Sequence, residues 1–159
     1  LKPISVEKYT EFAKMQFDRY GKSIEDEAVV AVYERFDAVT SCLQRILNVL
    51  FLKTLPDGKC TCDMVDDAIN YILDMFSETY QDLLERIPEK QREVFIAIAK
   101  EGKAKAITGK TFIKKHHLQT SSVINAAVRG LLEKDFITVD KGVYTIYDPF
   151  FALWLRNGR

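Results

Sequence analysis

Thr120-Ser-Ser-Val-Ile-Asn-Ala-Ala-Val-Arg-Gly-Leu-Leu-Glu-Lys134 runs almost unbroken into Phe136-Ile-Thr-Val-Asp140 and, after Lys141-Gly142, into Val143-Tyr-Thr-Ile-Tyr147. In the first stretch Val123, Ile124, Ala127, Val128, Leu131 and Leu132 recur at the three- and four-residue spacing of a helix with one buried face. The next two stretches alternate instead. Ile137 and Val139 stand against Thr138 and Asp140, then Val143 and Thr145 against Tyr144 and Ile146. That is the two-residue period of strands, and Lys141-Gly142 is the hinge of a hairpin. Upstream, Glu89 to Lys100 carries a helical stripe of Val94, Phe95, Ile98 and Ala99, and Lys110 to His117 is a short second helical run. Downstream, Pro149-Phe-Phe-Ala-Leu-Trp-Leu155 reads as a short helix packing back on the hairpin, with Trp154 as a core anchor.

Helix, helix, helix, β-hairpin is the order of a winged helix, a helix-turn-helix variant whose third helix can enter a DNA groove. The expectation is therefore a winged-helix domain over residues 88–159, with a two- or three-stranded wing and a C-terminal docking helix.

Residues 1–87 read as an all-α bundle. Val6 to Tyr20 offers Tyr9, Phe12, Ala13, Met15, Phe17 and Tyr20 as an apolar side, and Gly21 ends it. Ser23 with Asp26 three places on reads as a capping box opening a helix from Ile24 to Phe36. A third helix, Ala38 to Thr54, stops at the turn Leu55-Pro56-Asp57-Gly58. The longest starts at Cys62 or Asp63, runs to about Arg86, and carries Asp63, Asp66 and Asp67 at the positive end of its dipole. Pro88 marks the boundary. The expected class is mainly α.

The zero net charge hides an asymmetry. Residues 1–87 hold 10 Lys+Arg against 16 Asp+Glu, a balance of −6; residues 88–159 hold 13 against 7, a balance of +6. Two modules with different partners fit this pattern, the basic one leaning toward nucleic acid or another acidic surface. Halves that simply attract each other fit it too. No apolar run nears the roughly 20 residues that span a bilayer, and no signal-peptide pattern is present, so the expectation is cytoplasmic with no membrane partner. The chain begins at Leu1, as a piece of something longer would. Three cysteines, Cys42, Cys60 and Cys62, fit a reducing compartment, and Cys60-Thr-Cys62 reads as a surface loop, too few ligands for zinc.

No catalytic constellation is legible. Gly109-Lys110-Thr111 matches the end of a phosphate-binding P-loop, but the glycine required five residues earlier is Ala104, and no strand precedes it. His116-His117 reads as a capping and solvent pair. The expectation is a fragment that is not an enzyme, with no catalytic residue, cofactor or metal. The candidate contacts are those of a helix-turn-helix on DNA. Asn125 and Arg129 could read bases, and Ser121 and Ser122 could hold phosphate. Lys110, Lys114, Lys115 and Lys141 could add phosphate contacts that carry no sequence information. The competing reading makes this face a protein-docking surface.

Several runs carry a resemblance. Leu84-Glu-Arg-Ile-Pro-Glu-Lys-Gln-Arg-Glu-Val-Phe-Ile-Ala-Ile-Ala-Lys-Glu-Gly102, Ser121-Ser-Val, Gly130-Leu-Leu-Glu-Lys-Asp-Phe-Ile137 and Val143 through Leu155 resemble the C-terminal end of prokaryotic P-loop ATPases. The relevant group is the archaeal and Bacteroides-type branch of the signal-transduction ATPases related to AAA+ proteins. Leu1 to Ser5, Phe12 to Lys22, Ala31 to Tyr33, Gln44 to Asn48, Asp57-Gly58 and Ala68-Ile69 are similar to the helical lid of the same proteins. The resemblance implies a nucleotide-binding domain outside this chain, with ATP and magnesium bound there. It further implies a lid over residues 1–87 that passes nucleotide state to the winged helix. One departure matters: where relatives carry Gly-x-Pro near the nucleotide, this chain has Asp37-Ala-Val-Thr40, so that contact is not carried over. Two functions follow as alternatives, a regulatory region of a nucleotide-switched ATPase and a DNA-binding module of a transcriptional or mobile-element protein.

Overall fold

The computed structural model describes residues 2–158. Leu1 and Arg159, which the sequence reading assigns to its two domains, lie outside the described residues. Among the described residues eight helices and four short strands follow one another: α1 Val6–Arg19, β1 Ser23–Ile24, α2 Asp26–Arg35, α3 Thr40–Lys53, β2 Lys59–Cys60, α4 Met64–Arg86, α5 Glu89–Glu101, α6 Lys110–Lys115, α7 Ser121–Glu133, β3 Ile137–Asp140, β4 Val143–Ile146 and α8 Pro149–Arg156. The chain divides into two compact units between Asp74 and Met75, inside α4. This moves the expected boundary at Pro88 upstream. The cause is chemical: Ser77 and Tyr80 bond to Trp154 and Asp148 of the C-terminal unit, which therefore claims the second half of α4.

In the first unit the apolar stripes of four helices meet. Tyr9, Ala13 and Phe17 of α1, Val29 and Val32 of α2, Ile46 and Leu50 of α3, and Ile69 and Ile72 of α4 are all buried. The expected apolar side of α1 is only half interior, because Phe12, Met15 and Tyr20 remain exposed. Nor is this unit purely helical. Ser23–Ile24 pairs in parallel with Lys59–Cys60, closing a clasp around α2 and α3. The expected capping box does not form: Ser23 donates its hydroxyl to the Gly58 carbonyl, and α2 starts two residues later than Ile24. Cys60 is accordingly buried in the clasp rather than in a surface loop, while Cys62 is exposed. Helix α3 begins at Thr40, not Ala38, since Asp37 and Ala38 both take left-handed backbone angles, φ 47° and 61°.

In the second unit α5 packs against α7 and α8, and β3 pairs antiparallel with β4 from Ile137↔Ile146 to Asp140↔Val143. Ala104 adds a one-residue bridge to Tyr144, the stub of a third strand. Phe95, Ile98, Ile124, Leu131, Phe150 and Trp154 form the floor of the core, each 1% exposed or less. Arg92 fixes the start of α5 by donating to the carbonyls of Leu84, Glu85 and Ile87 where α4 ends and the chain turns. The hairpin turns on Lys141 and Gly142 at φ 49° and 76°, the pair of positive angles that a tight primed turn demands.

Candidate functional site

Helix α7 meets α5 at one small residue. A Cβ at Gly130 would meet the Gln91 amide nitrogen at 2.3 Å, so glycine leaves room for the Gln91 side chain of α5 to lie across α7. Gln91 Oε1 then accepts from Lys134 at 3.3 Å. Thr120, the expected first residue of this helix, sits outside it as the cap, its hydroxyl accepting from the Val123 amide at 3.4 Å. With Ile124, Ala127, Val128 and Leu131 turned inward, Ser121, Ser122, Asn125 and Arg129 are left exposed. Among the sequence-expected contacts, these four therefore share one helix and lie outside the core.

Lys110, Lys114 and Lys115 are exposed on α6, whose buried anchor is Phe112. Gly109 is the cap residue of this six-residue helix and follows a turn, not a strand, so the Gly109-Lys110-Thr111 run has no P-loop geometry. Lys141 lies apart from the α6 lysines in sequence, at the hairpin tip. The antiparallel bridge of Ala104 to Tyr144 places the residue before Lys105 against the wing, two residues from Gly142. The preceding loop and the wing thus approach each other at that end.

A contact the sequence reading missed lies behind α6. One oxygen of Glu101, the last residue of α5, is 2.7 Å from both Lys115 Nζ and His116 Nε2. The His116 ring leans on Phe112 at a tilt of 51°, with centroids 4.6 Å apart, and its side chain is only 7% exposed. His116 is therefore not the solvent-facing group expected, although it does follow α6 as its C-cap residue. The Lys115 ammonium first, and the His116 ring second, hold the Glu101 carboxyl below its usual range. Lys105, exposed in the loop before α6, was also passed over. The signal available for both was negative: residues 102–132 contain five Lys and one Arg but no Asp or Glu.

The first unit offers a different feature. An open groove of about 360 Å³ between α1 and α3 is lined by Phe12, Gln16, Tyr20, Gln44, Asn48 and Phe51, among others. Phe12 and Tyr20 of the exposed half of the α1 stripe line this groove, whereas Met15 does not.

A family model described as a probable winged helix domain matches residues 78–157, half of the chain. The chain belongs to this winged-helix family. The match begins in the second half of α4, the part that bonds to the α8 segment, so the family unit and the compact C-terminal unit nearly coincide. Among curated proteins none matches the sequence. Among solved structures the winged-helix chain is similar to the Walker-type ATPase of Pyrococcus abyssi, with a TM-score of 0.68 and 17% identity. That similarity covers 98% of this chain and 43% of the ATPase, so the chain spans less than half of that protein's length. At this identity the likeness is one of fold. It agrees with the sequence resemblance to the C-terminal end of prokaryotic P-loop ATPases. Among the described residues no helix is long and apolar enough to cross a membrane.

Proposed function

We propose that the chain is the non-catalytic C-terminal regulatory and interaction region of a prokaryotic P-loop ATPase, passing nucleotide state from a lid-like bundle to a winged-helix output in the cytoplasm. The observation that carries this reading is the fold likeness over 98% of the chain to part of a Walker-type ATPase. Phosphoryl transfer needs phosphate-cradling amides, a lysine and a magnesium-holding carboxylate in one register. The only partial match here, Gly109-Lys110-Thr111, caps a short helix, so ATP and magnesium are assigned to a partner nucleotide-binding domain of the same polypeptide. The aromatic groove between α1 and α3 supports a protein contact in the first unit, since an exposed concave apolar surface marks an interaction site. Hydrogen exchange of the parent polypeptide tests the coupling. Protection of α1, α3 and the winged helix should differ between ATP- and ADP-loaded protein; identical protection in the two states overturns the reading.

A second reading, a DNA-binding module, is favoured by the exposed row Ser121, Ser122, Asn125 and Arg129 on the third helix of a helix-turn-helix. A band-shift on random duplex at low salt tests it, and no shift removes it.

A further inference from the structure

The carboxylate-free stretch 102–132 has a second property. It exposes no large apolar side chain: among the described residues the exposed large hydrophobics of the second unit are Met75, Val139 and Tyr147. A protein interface is anchored by buried aromatic and aliphatic side chains at its centre. This stretch offers instead lysines, hydroxyls and amides, and the carboxylate at its border, Glu101, is engaged by Lys115 and His116. Such a donor-rich, anchor-free surface is the kind that grips nucleic-acid backbone.

The lysines are also unequal. Lys105, Lys110 and Lys114 are exposed and make no ion pair among the described residues, whereas Lys115 is already held by Glu101 at 2.7 Å. The exposed face of α7 is nearly neutral, with Arg129 and Glu133 as its charges. The positive charge is therefore concentrated on the loop and α6, and not on the helix that would read bases.

We propose that Lys105, Lys110 and Lys114 hold the phosphate backbone of duplex nucleic acid independently of its sequence, and that Glu101 acts as an internal competitor, withholding Lys115 and His116 from it. The inference rests on the DNA reading above but assigns it to a different surface. Among the described residues the ion pair to an α6 lysine is that of Glu101 with Lys115, so loss of the Glu101 charge frees a cation without adding one. The groups facing it are Lys115 and His116.

Fluorescence anisotropy of the full chain with a labelled random 20-base-pair duplex, titrated with salt, tests this. Three phosphate contacts give a log–log slope of about −3. Lys110→Ala with Lys114→Ala should flatten it by about two and weaken every sequence alike. Glu101→Gln should steepen the slope by about one and tighten binding severalfold at low salt. Asn125→Ala should change affinity less than twofold. All are exposed or partly exposed positions, and unchanged circular dichroism melts establish that the variants fold. Absence of duplex binding at low salt overturns both this inference and the DNA reading. Binding that depends on Asn125 and Arg129 but not on the lysines overturns this inference alone. Equal affinity for polyglutamate at the same ionic strength reassigns the surface to an acidic protein. An unchanged slope in Glu101→Gln removes the competitor role.

Discussion

Tyr80 donates its phenol hydrogen to Asp148 Oδ2 at 2.9 Å, while the other oxygen of the same carboxylate caps α8 by accepting from the Phe150 amide at 2.9 Å. One side chain thus ends the hairpin, starts the last helix and ties both to α4. Stacking of Tyr80 on Phe151, with centroids 4.5 Å apart and planes 6° from parallel, completes the join.

Asp148→Ala should therefore cost more than either bond alone, about 1–3 kcal/mol, because it removes both the cap of α8 and the acceptor of the Tyr80 phenol. Tyr80→Phe, which keeps the stacking, should cost about 0.5–1.5 kcal/mol. In urea unfolding the double variant should fall short of the sum. Strict additivity would show that the two groups do not act together.

Trp154 is 1% exposed and donates its indole N–H to Ser77 Oγ at 3.0 Å. Trp154→Ala should cost about 3–5 kcal/mol, through lost packing more than through the bond. Ser77→Ala isolates the bond and should cost about 1 kcal/mol. A melting temperature unchanged by Trp154→Ala contradicts the anchoring role.

Gly130→Ala sets two effects against each other. Alanine favours the helix by up to about 1 kcal/mol over glycine, but its Cβ displaces the Gln91 amide and the Lys134 contact with it. The obstruction is the flexible end of a side chain, so the net change should be small. With Gln91→Ala in place the same substitution should become stabilising. If it stays destabilising there, backbone approach and not Gln91 is the obstacle.

The Glu101 carboxyl is held low in the folded state, so its contribution to stability is present above the unfolded carboxyl range near pH 4.3 and disappears as pH falls through the lower folded value. The gap in urea midpoint between the parent chain and Glu101→Gln should be open at about pH 6 and close toward about pH 3. A gap independent of pH would mean that Lys115 and His116 do not bind the charged form.

The winged-helix half was legible because its signals are local. A helical stripe giving way to two alternating runs at Asp135, with a glycine hinge, fixes element type and order, and the apolar cluster around Trp154 fixes the interior. What escaped was made by contacts distant in sequence. A two-residue strand such as Ser23–Ile24 has no period to read, and its partner Lys59–Cys60 lies beyond two helices. Periodicity found the apolar stripe of α1 but could not say that Phe12 and Tyr20 on its outer side line an open groove. The Glu101 contacts depend on where α6 lands against the end of α5. The exposed placement of Asn125 and Arg129, by contrast, followed from helix geometry alone.

The clasp between Ser23–Ile24 and Lys59–Cys60 gives the molecule a built-in clock. Cys62 stands in solvent, Cys60 lies sealed within the clasp with its thiol pushed up by burial, and Cys42 is enclosed on α3. A thiol reagent in excess will take Cys62 at once and must wait for the other two to surface. The lag at Cys60 measures the free energy of unfastening two strand residues, and the lag at Cys42 that of releasing a helix, so one reaction course would rank local openings that equilibrium melting merges into one.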